Sequence, residues 1–197
     1  MSDTPDPVLQ RVRAGLHWPS WQHWQDAVAD ELPTIDLGPV DHHSRDVAIR
    51  SRLSLAKTTN DGGPYLDIFT TQAHERIERE FGQELGPLAS FTFAIKDLLA
   101  VEGRPMMAGS AARQDAPQEQ ATAPMIRLLE ALGAVSIGTV TLHEFAFGVT
   151  GINPFAGTAM NPTAPDRITG GSSSGSAAAV ADGSARNSRS STALANR

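Results

Sequence analysis

Three groups of residues carry side chains suited to chemistry. The first is a Gly/Ser run, Gly170-Gly171-Ser172-Ser173-Ser174-Gly175-Ser176, which leads into Ala177-Ala178-Ala179-Val180-Ala181. Backbone N–H groups at a loop-to-helix junction can hold a phosphate. A P-loop, however, ends in Gly-Lys-Ser/Thr, and here Gly175 is followed by Ser176 and alanine. A dinucleotide loop would follow a strand directly and show GxGxxG, which is absent. Both nucleotide readings fail on spacing, and the Ala/Val helix behind the run argues against a free linker. What remains is a set of hydroxyls, with Ser172 readable as a reactive group or as a helix N-cap, a role Ser174 or Ser176 would fill as well.

The second group is Lys96-Asp97, which ends an apolar run. Lys96 is either an ordinary lysine (snorkelling, or paired with Asp97) or a base. An exposed lysine has a pKa near 10.4, so a base at neutral pH needs desolvation to lower it. The third group is histidine beside acid. His143-Glu144 would need a histidine at position 147 for an HExxH zinc site, and Phe147 stands there. Asp41-His42-His43 has the donors of a metal corner but no third spaced ligand. There is no cysteine, which excludes disulfides, thiolate metal sites and a Cys nucleophile. Neither a metal nor a cofactor is expected.

These residues need a frame. Ala89-Ser90-Phe91-Thr92-Phe93-Ala94-Ile95 reads as a buried strand, closed by Lys96-Asp97 and a loop with Gly103 and Pro105. Pro124 starts a helix carrying Met125, Leu128, Leu129 and Leu132, and Gly133 is placed to end it. A second buried strand, 134–140, follows at once. Strand, helix, strand in that order predicts a parallel pair and an α/β protein. Upstream, Ala73, Ile77 and Phe81 predict a helix over 71–81, and a short helical stretch is expected near Val47–Leu55 among turn residues. Trp18, Trp21 and Trp24 fall every third residue and predict an amphipathic helix that docks on a larger body. Residues 148–171 read as a long ordered loop, a length usually functional.

The 197 residues hold 16 Lys+Arg against 22 Asp+Glu, a net charge of −6. That balance argues against nucleic-acid binding, which needs a basic patch. No run of about 18 apolar residues is present, and residues 1–7 have neither a basic nor an apolar signal region. A soluble, cytoplasmic globular chain is expected.

Four ordered segments resemble one family. The Gly170–Ala181 segment is similar, nearly residue for residue, to the most characteristic stretch of the amidase signature family. Phe93-Ala94-Ile95-Lys96-Asp97-Leu98 resembles its strand-end lysine motif, and Ala108-Gly109-Ser110 the segment just after it. Glu144–Pro154 and Gly157–Pro162 are similar to the loop before the Gly/Ser segment. The resemblance implies a partial α/β/α sandwich with N-terminal helices, with 61–185 as the N-terminal part of the catalytic domain; periodicity makes residues 1–60 an expected helical arm, and the shift to Ser/Arg composition makes 186–197 an expected aberrant or disordered tail. The resemblance further implies amide hydrolysis by a Ser-Ser-Lys triad. In that scheme Lys96 is the base, and Ser172 is a bridging serine held by a cis peptide. Gly170, Gly171 and Ser173 support the loop. The implied partner is a small-molecule amide, and, for the family's glutamine-hydrolysing branch, the other subunits of a tRNA-dependent amidotransferase; a homodimer is a further arrangement the resemblance allows.

One departure is clear. The family's nucleophilic serine lies in an Asp-x-Gly-Gly-Ser segment some two dozen residues after the bridging serine. Here that stretch is Asn187-Ser188-Arg189-Ser190-Ser191-Thr192-Ala193-Leu194-Ala195-Asn196, with no Gly-Gly-Ser. The expectation is therefore a chain without its nucleophile, a non-catalytic remnant as the alternative to a working enzyme, with a shifted reading frame after residue 185 as the expected origin of the tail.

Overall fold

The structure, a computed structural model, describes residues 41–58 and 63–185. Helix α1 (His42–Thr58) is followed by strand β1 (Tyr65–Ile68), helix α2 (Thr70–Glu80), strand β2 (Thr92–Lys96), helix α3 (Pro124–Ala131), strand β3 (Val135–Val140) and helix α4 (Ser174–Ala181). Two single-turn 3₁₀ segments, Ala111–Arg113 and Glu144–Ala146, interrupt the loops.

β3 is the middle strand of a mixed three-stranded sheet in the order β1-β3-β2. β2 and β3 run parallel, with Thr92 opposite Val135 and Lys96 opposite Val140, and α3 connects them. This is the strand–helix–strand unit expected from the apolar runs. β1 pairs antiparallel with β3, Tyr65 facing Val140 and Ile68 facing Gly138. Sequence patterning does not show β1, because Tyr65-Leu66-Asp67-Ile68 is too short to display a period of two.

α1 presents Ile49, Leu53 and Ala56, and α2 presents Ala73 and Ile77, to Val135, Ile137 and Val140 of β3 and Ala179 of α4. A second cluster joins Phe69, Ile95 and Ile126, with Phe93, Leu99 and Val101 packed around it. α1 runs well beyond the short stretch expected, over 17 residues. Arg45, 1% exposed, fixes it by donating to Glu80 Oε2 on α2 at 2.5 Å and to the Ala89 carbonyl at 3.3 Å. A buried guanidinium is tolerated because both of these partners accept from it.

Asp41 proves to be a helix cap. Its carboxylate accepts from Ser44 N at 2.9 Å and Ser44 Oγ at 2.7 Å, and these bonds hold its pKa below the ordinary value. Among the described residues no cluster of His, Asp and Glu could hold a metal. α3 buries Ile126, whereas Met125 and Leu128 are 56% and 60% exposed, so its apolar residues occupy two faces. No helix among the described residues is long and apolar enough to cross a membrane. The tryptophans at 18, 21 and 24 and the tail from 186 lie outside the described residues.

Candidate active site

The C-terminal ends of parallel strands collect polar loops, because the backbone there leaves the sheet and opens a crevice. Lys96 is the last residue of β2, level with Val140 at the end of β3. Beyond Val140 the chain presents Thr141, Leu142 and His143, and the Gly/Ser segment lies across them. Gly175 N donates to Thr141 O at 3.2 Å, and His143 N donates to Ser172 O at 3.3 Å. The first bond explains Gly175, since a Cβ there would sit 2.4 Å from the Thr141 carbonyl oxygen. Gly170 and Gly171 adopt φ of +78° and +76°, a left-handed pair that brings Gly171 N to Val149 O at 2.7 Å.

This path brings the lysine and the serines together. Lys96 Nζ donates to Ser173 Oγ at 2.8 Å and lies 3.4 Å from Ser172 Oγ. Ser173 occupies the N-cap position of α4 but makes no side-chain capping bond. Ser172 precedes the cap, so the helix-capping alternative does not describe it. Every peptide bond among the described residues is trans. The cis bond implied for Ser172 is therefore not what the structure holds. Such a bond costs about 3 kcal/mol and persists only where surrounding contacts enforce it.

Partial burial of the Lys96 ammonium holds its pKa below the ordinary lysine value. The alternative pairing with Asp97 is not formed. The Asp97 carboxylate turns away and accepts from Met107 N at 3.2 Å and Gly109 N at 3.3 Å. Burial dominates those bonds and raises the Asp97 pKa. A lysine amine with lowered basicity, next to two hydroxyls, can take a proton from an alcohol that becomes a nucleophile or passes the proton on. Beside Ser172 an open depression of about 470 Å³ is lined by Ala146, Phe147, Gly148 and Val149. Phe147 is 90% exposed at its rim.

His143 belongs to the scaffold of this loop. Thr150 Oγ1 lies 3.4 Å from its Nδ1, and its ring fills the space over Gly148, where a Cβ would be 2.2 Å away. Sequence reasoning missed the polar residues that hold the loops. Ser110 Oγ donates to Glu144 Oε1 at 2.6 Å, and Asn153 is 1% exposed with all its amide positions paired. The bonds that tie separate segments together, Ser110 to Glu144 and Asn153 to Gly109 and Leu142, join groups 34, 44 and 11 residues apart, which no local pattern shows.

Comparison with known proteins gives this arrangement its context. The chain matches the family described as Amidase over residues 66–189. It is 36% identical over 149 residues to a 1-carboxybiuret hydrolase subunit of Pseudomonas sp. (strain ADP), covering 71% of this chain and 32% of that protein. It is 39% identical over 151 residues to a glutamyl-tRNA(Gln) amidotransferase subunit of Akkermansia muciniphila, covering 72% and 32%. A solved structure of a vestigial protein complex, reported to reveal the origins of an s-triazine catabolic enzyme, superposes with a TM-score of 0.67. Its identity is 34%, over 72% of this chain and 32% of that one. The chain spans about a third of the length of the curated relatives it matches. The matched region holds β2 with Lys96, β3 and the Gly/Ser segment in one frame, and the chain belongs to the amidase family.

Proposed function

We propose that these residues form the proton-accepting half of an amide-hydrolysing centre, with Lys96 as base and Ser172 as the serine that relays the proton. The observation that carries this reading is the Lys96 amine, 2.8 Å from Ser173 Oγ and 3.4 Å from Ser172 Oγ at the C-terminal end of the sheet. Neutral Lys96 accepts the Ser172 hydroxyl proton, and Ser172 accepts one from a second serine whose oxygen attacks the amide carbonyl. The C–N bond breaks as the amine leaves with a proton returned along the same path, and water hydrolyses the acyl ester. Gly170, Gly171 and Ser173 hold the loop. Residues 61–185 act as the N-terminal part of the catalytic domain in this reading.

No Asp-x-Gly-Gly-Ser segment lies between Ser172 and residue 197, so these 197 residues by themselves turn over no amide. Loss of a nucleophile removes most of the rate of an acyl-transfer enzyme. The test is a chimera in which the 1-carboxybiuret hydrolase relative supplies everything after residue 183. Ammonia release from simple amides is expected from the chimera, and not from its Lys96→Ala and Ser172→Ala variants. Activity that survives Lys96→Ala overturns the role of the lysine. Turnover by the 197-residue chain itself, abolished by Lys96→Ala, overturns the inactivity. The amidotransferase relative makes glutamine a substrate to include, assayed with and without partner subunits.

A further inference from the structure

We propose that Asn153 and Asp97 are positioning residues that set where the Lys96 amine meets the Ser172 and Ser173 hydroxyls. This rests on the reading of Lys96 as the base. An unbroken path of bonds joins the two sides of the site. Asp97 is the residue after Lys96, 5% exposed, and its backbone N donates to Val140 O at 3.2 Å. Its carboxylate is wrapped by the 107–109 turn, in which Ala108 and Gly109 take φ of +54° and +63°. Main-chain N–H groups converging in a turn make a concavity that holds an anion. Met107 N and Gly109 N both donate to it.

Asn153 grips the other side of the same turn. Its Nδ2 donates to Gly109 O at 2.8 Å and to Leu142 O at 2.9 Å. Its Oδ1 accepts from Phe155 N at 3.1 Å and Ala156 N at 2.8 Å, and its backbone N donates to Thr158 Oγ1 at 3.0 Å. Leu142 is followed by His143, whose N–H holds the Ser172 carbonyl. The path therefore runs from Lys96 through Asp97, the 107–109 turn, Asn153 and Leu142 to Ser172. One amide closes it, and that amide has no bonding position left over. A side chain that only filled space would not need four separate partners across three chain segments. Neither residue touches the amine, so both act through the backbone they hold.

Lys57 and Lys96 are the two lysines of the chain, and Lys57 is exposed on α1. Only two lysine signals therefore need assignment, and Lys57→Arg tells them apart. Other ionisable groups on the surrounding segments are Asp97, Arg113, His143 and Glu144, none of which the Asn153 variant changes. The experiment follows the side-chain carbon signals of both lysines by NMR across a pH titration of the 197-residue chain. In the native chain the Lys96 midpoint is expected below the ordinary lysine value. In Asn153→Ala, checked for a cooperative melt, the Lys96 midpoint is expected to move up towards the ordinary lysine value. Should Asn153→Ala not fold, Thr158→Val, which removes the acceptor of the Asn153 backbone N–H, carries the test with a smaller upward shift. Folded variants whose Lys96 midpoint stays at the native value overturn the proposal while leaving the base reading intact. A Lys96 midpoint at the ordinary lysine value in the native chain overturns the base reading itself.

Discussion

The two ends of β3 are built on different principles. Along its length, Val135, Ile137 and Val140 are packed by α1 and α2 with apolar side chains alone, and Arg45 locks the helices from the edge. Past its end, Leu142 and His143 are held by Asn153, Ser172 and the Ser110–Glu144 bond, which are polar and directional. Apolar packing tolerates small adjustments of side-chain position. Hydrogen bonds fix distances to a few tenths of an ångström, which the proton transfer proposed for Lys96 and Ser172 would need. The fold and the site therefore draw stability from separate sources, so each can be damaged without the other.

The largest effect should come from the packed end. Ile137 is fully buried, and Ile137→Ala should cost about 2–5 kcal/mol, read as a lower denaturant midpoint with unchanged slope. A loss well below that range would mean that the two ends are not packed differently.

At the polar end the effects should be smaller and depend on pH. The Asp97 pKa is raised in the folded chain, so the folded state holds that proton more tightly than the unfolded one. Its contribution is full below the ordinary aspartate value of 3.8 and is lost as pH climbs through the raised value. The stability of the native chain relative to Asp97→Asn should fall across that window and then level off. A flat difference would remove the buried, wrapped carboxylate from the account.

Lys96 has the opposite sign. Its pKa is lowered, so its contribution is present above the unfolded value of 10.5 and is lost as pH falls through the folded value. Lys96→Met should therefore melt slightly higher than the native chain at neutral pH, with the gap closing as pH approaches 10.5. A lower melting point would show that the amine belongs to the structural end of the comparison. The smallest effect is expected at the surface, where Arg50 pairs with Asp46 at 2.6 Å on α1. Arg50→Ala should change stability by less than about 0.5 kcal/mol in a salt-sensitive way, checked by the same midpoints at low and high salt.

What the sequence shows divides along the same line. β2, α3 and β3 are legible because buried elements carry runs and periods of apolar residues, and α2 follows from Ala73 and Ile77. Lys96 and Ser172 are legible through the order of the segments that contain them. The cap at Asp41 is readable only in hindsight, as an acid three residues before Ser44. β1 is not visible because four residues are too few, and the burial of Ile126 in place of Met125 and Leu128 depends on how α3 is turned against Phe69 and Ile95. The bonds of Asn153 Oδ1 to Phe155 N and Ala156 N form a local turn, but its Nδ2 partners lie 44 and 11 residues away, outside any local window.

Asn153 also bears on the order in which the molecule assembles. The bonds it makes join residues 109, 142, 155 and 156, so its grip is incomplete until β2, α3 and β3 have brought the first two together. The Lys96–Ser172 pair spans a still longer separation, 76 residues. Segments held by a few hydrogen bonds, with little apolar burial, are the first to open when a domain fluctuates locally. The Lys96–Ser172 pair is therefore expected to open before the sheet beneath it, which rests on the buried apolar cluster of Ile49, Leu53, Val135, Ile137 and Val140.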